Sequence, residues 1–354
     1  MTRTGYTELA AWLLLAPAVC GQLRVPNRAN KPLFEGQQGR QNTEIYFDPS
    51  AGKVTLKLLV QDANGYFIPN IRRENFVVYE NGVRQDSTSV DIEHAPVSVG
   101  VLLEHGGRRP ALSRDLVENV STAGRELLKV LGGRDQVGIW LYNDHVEQLS
   151  GFTRDRGSLE SLLIGLAPPE VSETNLYDAL IRVAGKMDTV KGRRATVVLT
   201  SCVDTFSKAT YEGALTAAGQ SRAPIYVISL ANEMRRAAEL HSLDSTQRPN
   251  WSEAEGKLQE LARRSGGRLY SPKTVLDLSP AYDDMMENLK VRYVITYRSS
   301  NSNASVPRTV RVELVNPVDG KPLRIVDENG VVVNSTVVLQ ESYTPISTPV
   351  STAQ

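Results

Sequence analysis

Several absences narrow the reading of this 354-residue chain before any motif is considered. Cysteine is almost missing, with Cys20 and Cys202 the only two. If the apolar run that precedes Cys20 is removed as a leader, Cys202 is the only thiol left. No intramolecular disulfide can then form, and the fold must stand on its core. An excess of either charge is missing as well, because 40 Lys and Arg balance 40 Asp and Glu. Without a basic surplus, and without RNA-binding or zinc-finger spacing, no nucleic-acid partner is expected. The four histidines, His94, His105, His145 and His241, are scattered. They form no His-Glu-x-x-His and no clustered metal spacing. Neither a Gly-x-Ser-x-Gly elbow nor a Walker-type phosphate loop occurs. Beyond the N-terminus no apolar run approaches transmembrane length.

What is present begins with MTRTGYTELAAWLLLAPAVCGQ, where Arg3 precedes an apolar run from Ala10 to Val19. A short charged region, a hydrophobic segment too short to span a bilayer and small residues from Ala18 to Gly21 read as an export signal over residues 1–21. The protein is therefore expected to be exported, periplasmic or extracellular. Pro17-Ala18-Val19 is a poor context for a lipid-attachment cysteine, so a lipid anchor at Cys20 is the less favoured alternative.

Residues 22–51 are polar and rich in Asn, Gln, Gly and Pro, which reads as a linker or arm. Residues 52–95 alternate as strands do, with hairpin signals at Asn64-Gly65 and Asn81-Gly82. From Val97 the texture changes. VSVGVLLE, ATVVLTS and PIYVISL are continuous apolar strands, and Leu112, Leu116, Val120, Ala123, Leu127 and Leu131 recur at helical spacing. QVGIWLYN is a strand and VEQLSGF its antiparallel edge partner. EMRRAAELHSLDSTQRPNW reads as a long polar connection, and RYVITYRS as the last strand of the unit. Strands apolar on both faces that alternate with amphipathic helices over residues 96–299 predict an α/β fold: a doubly wound, mostly parallel sheet with helices on both faces. Residues 300–340 return to β texture. Because the ends of such a unit lie close together, the two β-rich flanks are expected to pair into one small β-sandwich. Residues 341–354 are Ser/Thr/Pro-rich and are expected to be a disordered tail.

The segments VSVGVLLEHGG, SETNLYDAL and RRATVVLTSCVDTFS together resemble the von Willebrand factor type A domain. The match is closest to the secreted acidobacterial von Willebrand A-related family. That branch is similar to VTLKLLVQDANGYFIPNIRRENFVVYENGVRQ before the domain and to YDDMMENLKVRYVITYRSSN after it, so the resemblance spans roughly Val54 to Leu314. It implies a Rossmann-like α/β fold and a metal-ion-dependent adhesion site at the carboxyl ends of the strands. Such a site combines an Asp-x-Ser-x-Ser loop with a distant Thr and a distant Asp. Together they give magnesium some of its six or so hard oxygens and leave one position for an acidic group of the partner.

Carried over onto this chain, the loop Asp falls on Glu104, the two Ser on Gly106 and Arg108, the Thr on Thr174 and the last Asp on Ser201. Only Thr174 is unchanged. Glycine supplies no ligand, and a guanidinium supplies five donors and no acceptor. A fixed positive charge a few ångströms from a dication costs on the order of several kcal/mol. The site is degenerate by this reading, and no cofactor is expected. Arg108 is expected to turn toward Glu104 in place of the missing metal charge. If magnesium binds at all, Glu104, Thr174 and Asp204 are its expected protein ligands, with Glu173 a further source of rescue.

The expected function is a non-enzymatic protein-interaction or adhesion module with an unidentified protein partner. Its contact face would be the loops 104–110, 172–176 and 201–207. Arg108 or Arg109 would take an acidic side chain of the partner directly, and Trp251 is a possible contact residue. The alternatives are a structural scaffold of an envelope or secreted assembly, and a magnesium-dependent adhesin with a rearranged site. An enzyme using Cys202 or the Glu104–His105 pair lacks a complete nucleophile–base–orienter set.

Overall fold

The computed structural model describes residues 22–25, 43–63, 65–167, 171–301 and 306–345. The export signal over 1–21, Cys20, most of the arm, Asn64 and the tail beyond 345 lie outside these residues.

Six strands precede the α/β unit: β1 (Gln22–Val25), β2 (Glu44–Asp48), β3 (Lys53–Asp62), β4 (Phe76–Glu80), β5 (Val83–Gln85) and β6 (Ser87–His94). The first two lie within the stretch expected to be a linker, and pairing with β15 and β3 makes them strands. Asn81 and Gly82 both adopt positive φ, at 49° and 79°, and close the tight hairpin between β4 and β5.

The α/β unit follows in chain order. It runs β7 (Val97–Glu104), α1 (Pro110–Val130), β8 (Gln136–Tyr142), β9 (Val146–Thr153), α2 (Arg156–Ile164), α3 (Leu176–Asp188), β10 (Arg193–Thr200) and α4 (Tyr211–Gln220). It continues through β11 (Ile225–Ser229), α5 (Ala231–Leu240), α6 (Trp251–Arg264), β12 (Leu269–Tyr270) and α7 (Ser279–Lys290). These strands form one sheet in the order β12-β11-β10-β7-β8-β9, all parallel except β9. Side chains alternate across it. Val99, Val101 and Leu103 of β7 pack with α1, α2, α5 and α7, whereas Leu102 packs on the opposite face with α3, α4 and α6. Burial on both faces is why these strands read as unbroken apolar runs.

Two expectations about the α/β unit change here. The stretch read as a polar connection contains helix α5, whose Ala231, Met234 and Ala238 are buried while its arginines and glutamates face outward. Alanine and a single methionine carry too little hydrophobicity to announce that stripe. The strand β13 (Val291–Arg298), expected inside the α/β sheet, instead pairs antiparallel with both β3 and β6. It follows α7 without any connecting loop. The chain therefore leaves the helix beside His94, with which Val291 pairs, and has no length with which to return to the parallel sheet.

The remaining strands are β14 (Arg308–Leu314), β15 (Arg324–Asp327), β16 (Ser335–Val338) and β17 (Ser342–Tyr343). β17 lies in the stretch expected to be disordered, where pairing with β14 and burial of Tyr343 hold it. One sheet holds β16, β3, β13 and β6 with β2 on β3, and the other holds β17, β14, β4 and β5. They share a core that includes Leu56, Phe76, Val78, Tyr293, Ile295 and Val312, so both flanks close into a sandwich. β1 adds to β15 in parallel.

Both chain crossings between the two units are pinned at one place. The buried Asp135 accepts from Val97 N at 3.0 Å, Gly132 N at 2.7 Å and Lys290 Nζ at 2.7 Å. Arg193 adds an ion pair to Glu93 at 2.6 Å. At the opposite end of the sheet, where the strands finish, the loops border a cleft.

Candidate functional site

Strand register assembles the centre of that end. Glu104 closes β7, Tyr142 stands beside it at the end of β8, and Thr200 ends β10 on the other side. The Glu104 side chain is only 2% exposed. Its Oε2 lies 2.7 Å from Thr200 Oγ1, 2.7 Å from Ser201 N and 3.0 Å from Tyr142 Oη, all donors toward it. Ser201 Oγ donates to Oε1 at 2.8 Å. Tyr142 Oη and Thr200 Oγ1 are also 2.8 Å apart, so the single tyrosine proton serves either neighbour. Burial pushes the Glu104 carboxyl above its ordinary value, against the opposing pull of the Thr200, Ser201 and Tyr142 donors.

The three loops expected to form the contact face do meet. Gly107 and Ser172 exchange backbone hydrogen bonds at 3.2 and 3.3 Å, and Thr205 N donates to Thr174 O at 2.9 Å. Gly106 is enclosed. A Cβ there would lie 2.9 Å from both Glu173 O and Ser172 Oγ and 3.0 Å from Asn143 Cβ. The position therefore lacks a ligand, and it also lacks the room to hold one.

Arg108 does not turn toward Glu104. Its Nε donates to both oxygens of Glu173, at 2.9 and 2.8 Å, with the guanidinium largely in solvent. The guanidinium reaches Glu173 across the stitched loops, and Glu104 already has four polar partners in the interior. The pairing holds the Glu173 carboxyl below its ordinary value.

Thr174 is buried and donates its hydroxyl to Val203 O at 3.1 Å. Asp204 is committed to structure. It accepts from the Ser207 hydroxyl and from Tyr177 N in the first turn of α3, and it does not line the cleft described below. Trp251 is the first residue of α6 and is 5% exposed; it packs with α1 and α5 side chains and also lines the cleft described below.

These elements enclose a cleft of about 330 Å³. Glu104, Thr174 and Ser201 line it together with Arg108, Arg109 and the apolar side chains Leu112, Leu116, Val203 and Met234. Gln247, Arg248 and Pro249, from the chain between α5 and α6, and Trp251 at the start of α6 add to the lining. The sequence reading missed Tyr142, Thr200 and Arg248. For the first two a signal existed: each is the polar last residue of an apolar strand that neighbours β7. Arg248 had none, since only the course of the α5–α6 connection brings it to the cleft.

Two residues raised as enzymatic candidates sit elsewhere. His105 places Nε2 2.8 Å from Ala167 O, away from the cleft. Cys202 is buried with φ at 72°, and burial pushes its thiol far above the ordinary range. No group of three or more His, Cys, Asp or Glu that could hold a metal occurs among the described residues. No helix among them is long and apolar enough to cross a membrane.

No protein-family model matches the chain, and no curated protein sequence matches it. Among solved structures it is similar to an aerotolerance-related membrane protein from Bacteroides fragilis, at 18% identity over 54% of this chain and 98% of that one, with a TM-score of 0.42. A similar match is the conserved hypothetical protein BatB from Bacteroides thetaiotaomicron, at 17% identity over 54% of this chain and 96% of that one, with a TM-score of 0.40. A third is the vWF domain of the type V pili tip protein Mfa5 from Porphyromonas gingivalis, at 10% identity over 55% and 95%, also with a TM-score of 0.40. The strand order and the helix layers of this chain are those of a doubly wound α/β fold.

Proposed function

We propose that this chain is an exported, non-enzymatic recognition module that binds a protein partner at the cleft end of its α/β sheet without a metal ion. The observation that carries this reading is the state of Glu104. Magnesium needs about six hard oxygens in near-octahedral geometry. Here four polar groups converge on the carboxylate and leave one lone-pair direction of Oε1 unengaged. The other family positions do not make up the set. Gly106 has neither ligand nor room, Arg108 is held by Glu173, Thr174 is tied to Val203, and Asp204 caps a helix. The residues present do not fit the ion.

Recognition is favoured over a scaffold role by what the described residues display at this end. The cleft is open, and Val171 and Phe206, both more than 60% exposed, flank the stitched loops in sequence. Arginines at the rim suit an acidic group of the partner.

The test is calorimetric titration of the full chain with magnesium and with manganese. The expected result is no heat of binding. Saturable binding of either ion would replace this reading with a metal-dependent adhesin built on Glu104, Thr174 and Asp204.

A further inference from the structure

The chain between α5 and α6 adds a wall to the cleft. Arg248 and Pro249 line the same space as Leu112, Leu116, Val203 and Met234, so an apolar lining and cationic groups share one small volume. Three arginines border it against one acid, and that acid is turned into the interior. The arginines are not equivalent. Arg108 is spent on Glu173, and Arg248 donates to Leu243 O at 2.9 Å with Glu239 3.8 Å away. Arg109, at the N-cap of α1, pairs with no carboxylate among the described residues.

Building on the recognition reading above, we infer that the cleft takes a partner segment in which a bulky apolar side chain stands next to an Asp or Glu. The apolar side chain enters the space between Leu112, Leu116, Val203 and Met234, and the carboxylate meets Arg109 at the rim. About 330 Å³ is at the small end of ligand sites, sized for one large side chain rather than for a broad surface. A single buried anchor of this kind dominates many interfaces. An acid alone would leave the apolar walls wet, and an apolar residue alone would desolvate Arg109 without a partner. The Glu104 carboxylate at the base repels a second carboxylate placed deep in the cleft, which keeps the partner's acid at the rim.

The experiment is fluorescence anisotropy of the full chain, in excess EDTA, with the fluorescein-labelled peptide Gly-Ser-Glu-Phe-Ser-Gly and its Glu-to-Gln and Phe-to-Ala versions. The parent peptide is expected to bind about tenfold or more tightly than either version. Arg109→Glu is expected to weaken it by a similar factor, and so is Leu112→Trp, which fills the cleft and leaves the arginines in place. Circular dichroism and thermal melts check that both variants fold, and the peptide series stands without them. Equal binding of the parent and Phe-to-Ala peptides, with loss on Arg109→Glu, would overturn the apolar anchor and leave arginine-based recognition intact. No saturable binding of any of the three up to about 1 mM would overturn both.

Discussion

Ser201 holds Glu104 with two donors at once, its backbone N–H on Oε2 at 2.7 Å and its hydroxyl on Oε1 at 2.8 Å. Where the resemblance implies two acids around a cation, this chain has one acid and a residue that donates to it. Burial and these donors act on the Glu104 carboxyl in opposite directions, and burial is the larger effect.

Burial raises the Glu104 carboxyl in the folded protein, so the native state holds its proton more tightly than the unfolded chain does. Stability then falls as pH rises from the ordinary carboxylate value of 4.5 through the raised one. In Glu104→Gln that slope disappears. The same variant presents an amide N–H₂ to a group of donors, and it is expected to lose about 1–3 kcal/mol at neutral pH. Urea unfolding of both proteins at a series of pH values from the acid side to neutrality measures both effects. Parallel pH profiles would count against a raised carboxyl.

Gly106 is where restoring a hydroxyl ligand meets a steric limit. Gly106→Ser places Cβ against Glu173 O, Ser172 Oγ and Asn143 Cβ, two of them on the bridged 172–173 loop. Overpacking of this kind costs about 1–3 kcal/mol. Thermal and chemical denaturation read the loss, and a variant as stable as the wild type would show that the loop yields freely.

Replacing the arginine is not expected to create a metal site. Arg108 lies away from Glu104 on Glu173, so Arg108→Ser removes a surface ion pair and brings no oxygen to the carboxylate. An exposed pair of this type contributes about 0–1 kcal/mol. Calorimetry should find no magnesium binding in this variant and only a small change in melting temperature. Binding gained by this single change would mean that the guanidinium alone had silenced the loop.

Cys202 is predicted to be inert in the folded protein. Its thiol is buried and raised far above the usual cysteine range, so the reactive thiolate is scarce at neutral pH. Ellman's reagent should modify Cys202 only at the rate of global opening, and rapidly in denaturant. Fast labelling of the native protein would reopen the enzymatic reading.

The buried pair Arg268–Asp284 joins β12's approach to α7 at 2.6 Å, and Tyr270 donates to the same carboxylate oxygen at 2.6 Å. Asp284→Ala leaves the guanidinium buried without this partner, and about 3–5 kcal/mol of stability should be lost. Asp284→Asn should lose less, since it keeps an acceptor. Equilibrium unfolding distinguishes the two.

The strands VSVGVLLE, ATVVLTS and PIYVISL were legible as a parallel sheet because a strand buried on both faces has to be apolar throughout, and that pattern is local. Asn81-Gly82 was legible for the same reason, since positive φ at two successive residues is a property of those residues alone. The candidate site was legible as a set of positions: Glu104, Gly106, Arg108, Thr174 and Ser201 all lie where three loops converge. What those positions do was decided by tertiary structure. Arg108 was free to face either Glu104 or Glu173, and the bridge between Gly107 and Ser172 brought Glu173 within reach. Asp204 could ligate or cap, and the first turn of α3 beside it made it a cap. β13 carries a strand pattern that suits either sheet, and the absence of a loop after α7 assigned it to the sandwich. Composition and periodicity determine which residues must be buried or paired. Only the packed chain determines with which partner, because a hydrogen bond or an ion pair goes to whichever group long-range folding brings within about 3 Å.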